Sequence, residues 1–411
     1  MKIFIYSRPF APMTGGQETV VWDLAAGLAG ARQEDGTPSA QVTLATQAAR
    51  GGFDDATLPF RVVRQPSLLS LIRLIRAADV VHLAGPLFLP IIAALILRKP
   101  LAIEHHGFQT ICPNGQLLYE PNRSPCPGHF RAARHGECLR CNNNVGRLNS
   151  FKMWLLTFPR RWLCARVASN IMPTSWLGEL LQLPRSTTVY HSLPDKAAPS
   201  ACGSDHTTFA FVGRLVGSKG VPVLLQAAKE LHDDDRRFQL NVIGDGSDRD
   251  ALQQQAAAWG LADCVQFLGY LSPQELEEQL NEAATVVMPS LAGEVFGMVA
   301  AENMLRGKLV IASDIGAIRE VIGDAGLAFA PGDSKGLAAC MCRVLDEPNL
   351  APILGERALQ RARRVFQEPR MVAEHIAVYR QILGEPVVSP NKQRNLSNSA
   401  VVKTFPTRKH S

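Results

Sequence analysis

Residues 208–232 read TFAFVGRLVGSKGVPVLLQAAKELH, an apolar run followed by a glycine-rich loop and a helical pattern. Thr208–Val212 is a short apolar run that predicts a buried strand. Val221–His232 carries a helical pattern of apolar residues. The eight residues between them include three glycines and two cations, and they form a strand-to-helix loop. A strand followed by a helix is the repeating unit of parallel α/β sheets.

The same alternation runs through most of the 411-residue chain. In the first half, the strand-like runs are Lys2–Tyr6, Gln41–Ala45, Arg61–Val63, Val80–Leu83, Leu101–His105, Ser169–Thr174 and Thr188–His191. In the second half they are Thr208–Val212, Gln239–Ile243, Cys264–Leu268, Thr285–Pro289, Leu309–Ser313 and Leu327–Ala330. Helical patterns lie between most of them. We therefore predict two doubly wound parallel sheets, one in each half, with helices on both faces.

The chain divides into three parts. Residues 1–200 form a first domain and residues 201–385 a second, and the polar stretch Pro194–Asp205 links them. Residues 386–411 lack periodicity, so we expect a disordered tail. In doubly wound sheets, ligands bind beyond the carboxyl ends of the strands. Two facing sheets therefore predict a site in the cleft between the domains.

The composition excludes several classes of protein. Apolar residues make up 46% of the chain and charged residues 19%, which excludes a collagen, a coiled coil, a disulfide-dense mini-domain and a mostly disordered chain. The net charge of +6 is unevenly distributed: residues 1–200 carry +9, residues 201–385 carry −8 and the tail carries +5. This asymmetry supports two domains and indicates an anionic partner for the first.

Neither the N-terminus nor the longest uncharged stretch reads as a membrane segment. Arg8 and Pro9 interrupt the first apolar run too early for a signal peptide. The uncharged stretch Val80–Leu97 contains two prolines and a glycine, so we predict a strand, a turn and then a buried helix over Leu87–Leu97. We therefore expect a cytoplasmic protein.

Two carboxylates follow the predicted strand Thr285–Pro289. Glu294 lies in the loop and Glu302 in the next helix. With helical residues between them they would stand about 12 Å apart, a span over which two parts of one extended ligand could be held. The backbone N–H groups around Gly297 and Met298 would lie at a helix N-terminus, where anions bind.

The loop of residues 213–220 suits phosphate binding. Arg214 offers a planar fork of donors and Lys219 a point charge, while the glycines permit a close approach of the backbone. The spacing differs from a P-loop, so an NTPase is not implied.

Together with the segment Ser313–Glu320, these elements resemble the retaining glycosyltransferases of family 4. The resemblance covers about residues 1–383 and is strongest over Thr208–Gly332. It implies the GT-B fold, in which two Rossmann-like doubly wound parallel-sheet domains face a central cleft, and the last helix is expected to return to the first domain. It also implies transfer of a sugar from a nucleotide-diphosphate sugar to a saccharide or lipid-linked saccharide, in the biosynthesis of polysaccharide or envelope glycans.

The resemblance assigns roles in the second domain. Arg214 and Lys219 would grip the donor diphosphate, Glu294 the donor sugar and Glu302 the ribose. The other donor-binding positions are Phe296, Gly297, Met298 and Val299, through their loop amides, and Gly269 beside the base.

In the first domain, the resemblance points to two loops. Gly15 and Gly16, after Thr14, match the glycine-rich loop near the diphosphate and acceptor, and His106 matches the histidine that faces the donor sugar. The catalytic group implied is Glu294, His106, Arg214 and Lys219. Tyr190-His191 stands where the family often has an Asn-Gly turn.

We expect catalysis to need no metal or other cofactor. The only match to a metal-binding Asp-x-Asp motif is Asp233-Asp234-Asp235, which reads as a solvated charge run at a helix end. Arg214, Lys219 and the helix N-terminus can instead supply the positive field for the leaving phosphate. Retention of the anomeric configuration is implied by the resemblance alone.

Four cysteines lie in an insert of about residues 108–150. Their spacing is C-x13-C-x11-C-x2-C, at Cys112, Cys126, Cys138 and Cys141. Four cytosolic cysteines can bind a structural Zn²⁺, and plain free thiols remain the alternative.

The basic excess of the first domain lies in the same region. Residues 123–166 hold nine bases and one acid, and Phe151–Leu163 mixes aromatic residues with cations. This composition suits an anionic inner-membrane surface or a lipid-phosphate acceptor, hence a peripheral location on the cytoplasmic face. A core-facing helix with a solvated basic face fits as well.

Two other functions compete with the transferase. A nucleic-acid-binding protein built on a four-cysteine zinc site would leave Glu294 and Glu302 unexplained, so we expect no nucleic-acid partner. A GT-B-like nucleotide-sugar epimerase remains an alternative, and it would act without an acceptor.

Overall fold

The computed structural model describes residues 1–13, 15–32, 35–193 and 205–385. Thr14, most of the expected linker and the expected tail lie outside these described residues.

The first domain is built on a seven-stranded sheet with the order β3-β2-β1-β4-β5-β8-β9, in which every pair of neighbours is parallel. The strands of this sheet are β1 (Lys2–Ser7), β2 (Gln41–Thr46), β3 (Arg61–Arg64), β4 (Val80–Ala84), β5 (Leu101–Glu104), β8 (Ser169–Met172) and β9 (Ser186–Thr188). The strands β6 (Leu118–Tyr119) and β7 (Ser124–Pro125) form a separate small hairpin. Its helices are α1 (Gly16–Gly30), α2 (Leu68–Ala77), α3 (Phe88–Ile96), α4 (His135–Cys141), α5 (Arg147–Cys164) and α6 (Ser175–Leu181).

The second domain is built on a six-stranded parallel sheet with the order β12-β11-β10-β13-β14-β15. Its strands are β10 (Asp205–Val212), β11 (Gln239–Ile243), β12 (Val265–Gly269), β13 (Ala283–Met288), β14 (Leu309–Ser313) and β15 (Leu327–Phe329). The helices are α7 (Val221–Asp233), α8 (Arg249–Ala258), α9 (Pro273–Glu282), α10 (Met298–Leu305), α11 (Gly316–Ile322), α12 (Ser334–Asp346), α13 (Leu350–Val365) and α14 (Glu368–Leu383). The predicted fold class, two doubly wound parallel-sheet domains, is confirmed.

One predicted strand is wrong. The sequence placed a strand at Thr188–His191, whereas β9 already ends at Thr188. The Val189 N–H still donates to the Met172 carbonyl of β8 at 2.9 Å, but the chain then turns to the C-terminal segment: the Tyr190 carbonyl accepts from Arg370 of α14 at 3.0 Å, and the Leu193 N–H donates to the Phe366 carbonyl at 3.0 Å. These contacts lie far apart in sequence, so local pattern could not place them.

The last helix crosses from the second domain to the first. Met371 and Tyr379 of α14 belong to the same buried cluster as Val21 and Leu24 of α1. The first domain therefore takes part of its core from the C-terminal end of the described chain. None of the helices in the described residues combines the length and apolar composition needed to cross a bilayer.

In each sheet the strand order reverses beside the first strand, between β1 and β4 and between β10 and β13. Such a switch point opens a crevice at the carboxyl ends of the two strands. In the second domain, Gly220 after β10 approaches Pro289 after β13 closely: a Cβ atom on Gly220, where φ is +68°, would lie 1.9 Å from the Pro289 carbonyl oxygen. Only glycine fits this contact.

We predict that Gly220→Ala destabilises the protein more than Gly260→Ala. Both glycines have left-handed φ values, +68° and +72°, but a Cβ on Gly260 meets nothing within 4 Å. Gly260→Ala should therefore cost only the backbone strain, about 1–2 kcal/mol. Gly220→Ala should cost roughly a further 1–3 kcal/mol from overpacking. Urea unfolding of both variants measures the difference, and equal losses would contradict the proposed contact.

Candidate functional site

The loops after β10 and β13 lie side by side at the switch point of the second domain. The N–H groups of Leu291 and Ala292 donate to the Ser218 carbonyl at 2.8 and 3.3 Å. Lys219, in a short 3-10 turn, forms an ion pair with Glu294. The Ser290 hydroxyl donates to the same carboxylate at 3.1 Å. Lys219 and Glu294, which the resemblance assigned to the same sugar donor, are thus in direct contact.

The helix α10 begins where the Glu294 loop ends. Gly297 occupies its N-cap with φ of +96° and offers no side-chain cap, so the first N–H groups face the cleft without a capping oxygen. The Phe296 ring is buried in the core, which leaves only its backbone for a ligand. Glu302 lies on α10 in a half-buried position, and burial raises the pKa of its carboxyl.

The two domains bring two helix N-termini together across the cleft. A Cβ atom on Gly16, the first residue of α1, would lie 3.4 Å from Cγ of Met298, the first residue of α10. The positive ends of both helix dipoles therefore point towards the same space, which favours an anion between them. Gly15 precedes this contact in an extended conformation.

Arg214 is exposed at the mouth of the site, and no ion pair joins it to another residue in the described ranges. Its loop is nevertheless fixed through the backbone, because the Leu215 N–H donates to the Asp245 carbonyl at 2.9 Å. A Cβ atom on Gly244 would lie 2.0 Å from the Gly213 oxygen. The sequence analysis did not single out Gly244, although a Gly-Asp-Gly run directly after a strand is a signal for such a close approach of two backbone segments.

Gly269 ends β12 with φ of +71°, and the Arg249 guanidinium lies beside it, 3.3 Å from a Cβ built there. Arg249 also pairs with Asp245 at 3.4 Å. It was not singled out in the sequence, because it lies in a helix start that carries no distinctive motif. The structure brings it to the edge of the segment that the resemblance assigned to the nucleotide base.

His106 is connected to the second domain by a row of rings. It stacks on His191 with ring centres 5.4 Å apart, and His191 lies 5.0 Å from Phe296 of the second domain. The His106 Nε2 atom is 3.6 Å from the buried carboxylate of Glu104. The sequence marked His191 only as a departure from the Asn-Gly turn and did not single out Glu104, yet both residues contact His106.

A carboxylate from the second domain caps a helix of the first. Glu320 accepts hydrogen bonds from the N–H groups of Ser175 and Trp176 at 2.8 and 2.9 Å, at the start of α6. The Tyr190 hydroxyl donates to it at 2.7 Å. Burial and the neighbouring Glu320 charge raise the pKa of Tyr190, so the phenol keeps its proton. The Trp176 ring also covers Gly316, where a Cβ would lie 2.0 Å from the indole.

The cysteine insert lines the cleft. Leu118 of β6 packs with Leu291 and Ala292 of the second domain. Arg123, between β6 and β7, forms a 3.0 Å ion pair with Asp248. The sequence indicated an insert on the acceptor side, and the structure adds that its hairpin touches the donor-side loops directly.

The four cysteines of the insert share one neighbourhood. Cys112, Cys138 and Cys141 are buried and Cys126 is half-buried, and none forms a disulfide. Burial, followed by the charges of the other three thiols, raises the pKa of Cys138 to about 12. The Cys141 sulfur accepts the N–H of Glu120 at 3.4 Å. Four thiols are a donor set that suits Zn²⁺, but no three of these sulfurs lie within 4.8 Å of one another in the described structure.

The helix α5 presents a stripe of apolar residues to solvent. Its exposed large apolar side chains follow one another at intervals of three and four residues: Leu148, Phe151, Leu155, Phe158 and Trp162. Arg160 and Arg161, the cations emphasised in the sequence, point inwards and donate to the carbonyls of Gln109 and Leu181 at 3.3 and 2.7 Å. The exposed feature of this helix is therefore its apolar stripe.

Comparison with known proteins identifies the fold and shows which families the second domain is similar to. Across 92% of the chain and 98% of the neighbour, the fold matches Anabaena HepE in complex with UDP and glucose, with a TM-score of 0.66 at 19% identity. The architecture is therefore GT-B. The family description "Glycosyl transferases group 1" matches residues 195–361, which lie in the second domain and the segment before it.

Two curated relatives extend the match. The 2-deoxystreptamine glucosyltransferase of Streptomyces kanamyceticus is 35% identical over 257 residues, which cover 56% of this chain and 65% of the relative. The phosphatidyl-myo-inositol mannosyltransferase of Mycolicibacterium smegmatis is 30% identical over 230 residues, which cover 54% of this chain and 58% of the relative. The chain thus matches less than two thirds of the length of either protein.

Proposed function

We propose that the protein is a glycosyltransferase that moves a sugar from a nucleotide-diphosphate sugar to a saccharide or lipid-linked saccharide in glycan biosynthesis. The observation that carries this proposal is the Lys219–Glu294 pair beside the exposed Arg214, at the switch point of the second sheet. One cation is held against a buried carboxylate while the other is open to an incoming anion. The relatives named above are sugar transferases, and the neighbour with UDP and glucose supports a nucleotide-sugar donor.

In the proposed reaction, the diphosphate lies between the N-termini of α1 and α10, with Arg214 and Lys219 beside it. As the bond to the sugar breaks, negative charge develops on the leaving phosphate, and these fixed positive groups stabilise it. Glu294 would bind the donor sugar and Glu302 the ribose. His106 faces the sugar from the opposite domain, where the ring of His191 holds it in place. We further propose family 4 membership and retention of configuration.

We predict that Arg214→Ala abolishes donor binding and leaves the fold intact. Arg214 is exposed, so its loss creates no cavity, whereas removal of one charge-stabilising donor typically lowers turnover on the order of 100- to 1000-fold. Nucleotide sugars should raise the Tm of the wild-type protein and leave that of the variant unchanged.

The matched control is Arg343→Ala, another exposed arginine of the second domain, which forms an ion pair with Glu347. It should retain both donor stabilisation and transfer. Release of nucleoside diphosphate that depends on added acceptor distinguishes a transferase from an epimerase. An active Arg214→Ala enzyme would remove this residue from the site, and turnover of the nucleotide sugar without any acceptor would favour the epimerase.

We also propose that the first domain docks on an anionic membrane surface through the apolar stripe of α5. Large apolar side chains exposed along one helix face suit insertion at a lipid interface. The exposed cations Arg147 and Lys152 lie on the same helix and would meet lipid phosphates. This docking would place the cleft near a lipid-linked acceptor.

We predict that replacing Leu148 and Leu155 together by glutamate lowers binding to vesicles that contain phosphatidylglycerol by roughly tenfold or more, because two apolar side chains can then no longer be buried in the lipid. Flotation of the protein with vesicles measures the change. Ile353→Glu is the control, since Ile353 is an apolar residue of α13 in the other domain that is about as exposed as Leu155. Equal binding by the two mutants would count against a membrane role for α5.

We propose a structural Zn²⁺ in the insert, held by Cys112, Cys126, Cys138 and Cys141. The ion would tie the β6–β7 hairpin to α4 and so hold the cleft wall. We predict that Cys138→Ser loses about one equivalent of zinc and the near-ultraviolet thiolate band of the cobalt-substituted protein. Cys164→Ser, at a buried cysteine outside the insert, is the control. A wild-type protein without a thiolate band would overturn the proposal.

A further inference from the structure

A second group of metal-ligating side chains lies in the core of the first domain, apart from the cysteines. Glu104 ends β5, His82 lies on β4 and His375 on α14, and all three side chains are fully buried. His82 Nε2 is 3.3 Å from Glu104 Oε2, and His375 Nε2 is 3.9 Å from Oε1. One ligand atom from each residue lies within 4.8 Å of the other two.

These atoms have no hydrogen-bond partners among the described residues. Both carboxylate oxygens of Glu104 and the Nε2 atoms of His82 and His375 are buried and unsatisfied. Native proteins rarely leave buried polar atoms in this state, and a bound ion can satisfy them. The unpartnered atoms His106 Nε2 and His191 Nδ1 lie 3.6 and 3.4 Å from the same carboxylate, so six such atoms surround this point and indicate that something binds there.

The hydrogen bonding of His375 shows what kind of group is needed. Its Nδ1 atom lies 2.9 Å from the Met371 carbonyl, which can only accept, so Nδ1 carries the hydrogen. In the neutral ring, Nε2 then presents a lone pair to the Glu104 carboxylate. Two acceptors cannot satisfy each other, but a cation between them satisfies both.

The distances fit an ion better than direct hydrogen bonds. N–H···O bonds span about 2.7–3.2 Å, and both contacts to Glu104 are longer. Two metal–ligand bonds of about 2.1 Å at a tetrahedral angle separate their ligand atoms by roughly 3.4 Å. Outer partners are also present: the Met371 carbonyl serves His375, and the Tyr379 hydroxyl lies 2.9 Å from His82 Nδ1. Metal-ligating histidines usually have such partners.

We propose that His82, Glu104 and His375 bind a first-row transition-metal ion, with zinc the first ion to test. Two imidazoles and a carboxylate are a ligand set of Zn²⁺ and Fe²⁺ proteins. The ion would join α14 to β4 and β5, and so fix the crossing helix to the strand that leads into His106. It is a positioning device, since it lies in the core and touches neither donor nor acceptor.

The first test is X-ray absorption at the zinc edge on Cys138→Ser protein, so that the insert contributes no thiolate site. We expect bound zinc with nitrogen and oxygen neighbours, imidazole scattering and no sulfur. Protein that carries no first-row metal in this background, after growth with zinc, iron or cobalt, would overturn the proposal.

The second test compares variants in the same background. His375→Gln should lose about one metal equivalent per chain. His105→Gln should keep it, because His105 is equally buried but bonds to Asn170 at 2.9 Å instead of to Glu104. Tyr379→Phe preserves the shape of the core and should lower metal affinity about 10- to 100-fold in chelator competition, as loss of an outer partner does.

Misfolding of His375→Gln would not leave the question open. Wild-type protein can be unfolded in chelator and refolded with or without Zn²⁺. We expect the full Tm only with the metal, in the Cys138→Ser background as well as in the wild type. A folded His375→Gln with unchanged metal content, or a Tm that is independent of metal, would show that a proton rather than an ion joins His375 to Glu104.

Discussion

The carboxylate of Glu320 sets the relation between the two domains. It caps α6 of the first domain from α11 of the second, and it accepts the Tyr190 phenol that comes from the segment between them. Each of these donors belongs to the first-domain side, so the carboxylate acts as a single anchor point. The Thr174 hydroxyl adds a bond to the Val295 carbonyl at 3.0 Å, directly beside Glu294. The loop that holds the proposed donor-sugar carboxylate is thereby positioned by the opposite domain.

Much of the fold could be read from the sequence, because parallel strands buried on both faces are continuous apolar runs. Gln239–Ile243 and Leu309–Ser313 were predicted at the bounds the structure shows. The local pattern also predicted where the loops of Arg214 and Glu294 lie, since each loop follows such a strand. The error at Thr188–His191 arose where the chain leaves the sheet for α14: the Tyr190 carbonyl accepts from Arg370, 180 residues away.

The features that sequence reasoning missed share one cause, which is that their partners are distant in the chain. Glu104 was only the end of a strand until His82 and His375 were placed around it. The inward direction of Arg160 depends on the Gln109 carbonyl and the Phe88 ring, and the charge count alone suggested a solvated or membrane-facing cation. Likewise, the position of the insert against Leu291 depends on how the two domains meet.

The crossing of α14 into the first domain has a consequence for biosynthesis. The N-terminal end of a chain emerges from the ribosome first, and domains generally fold as they emerge. Here the first sheet emerges long before Met371 and Tyr379, which fill part of its core. The first domain must therefore wait, with an open apolar groove beside α1, until α14 has been made. For the same reason the two domains cannot be expected to fold separately. Residues 1–193 expressed alone would expose the apolar surface that α14 covers.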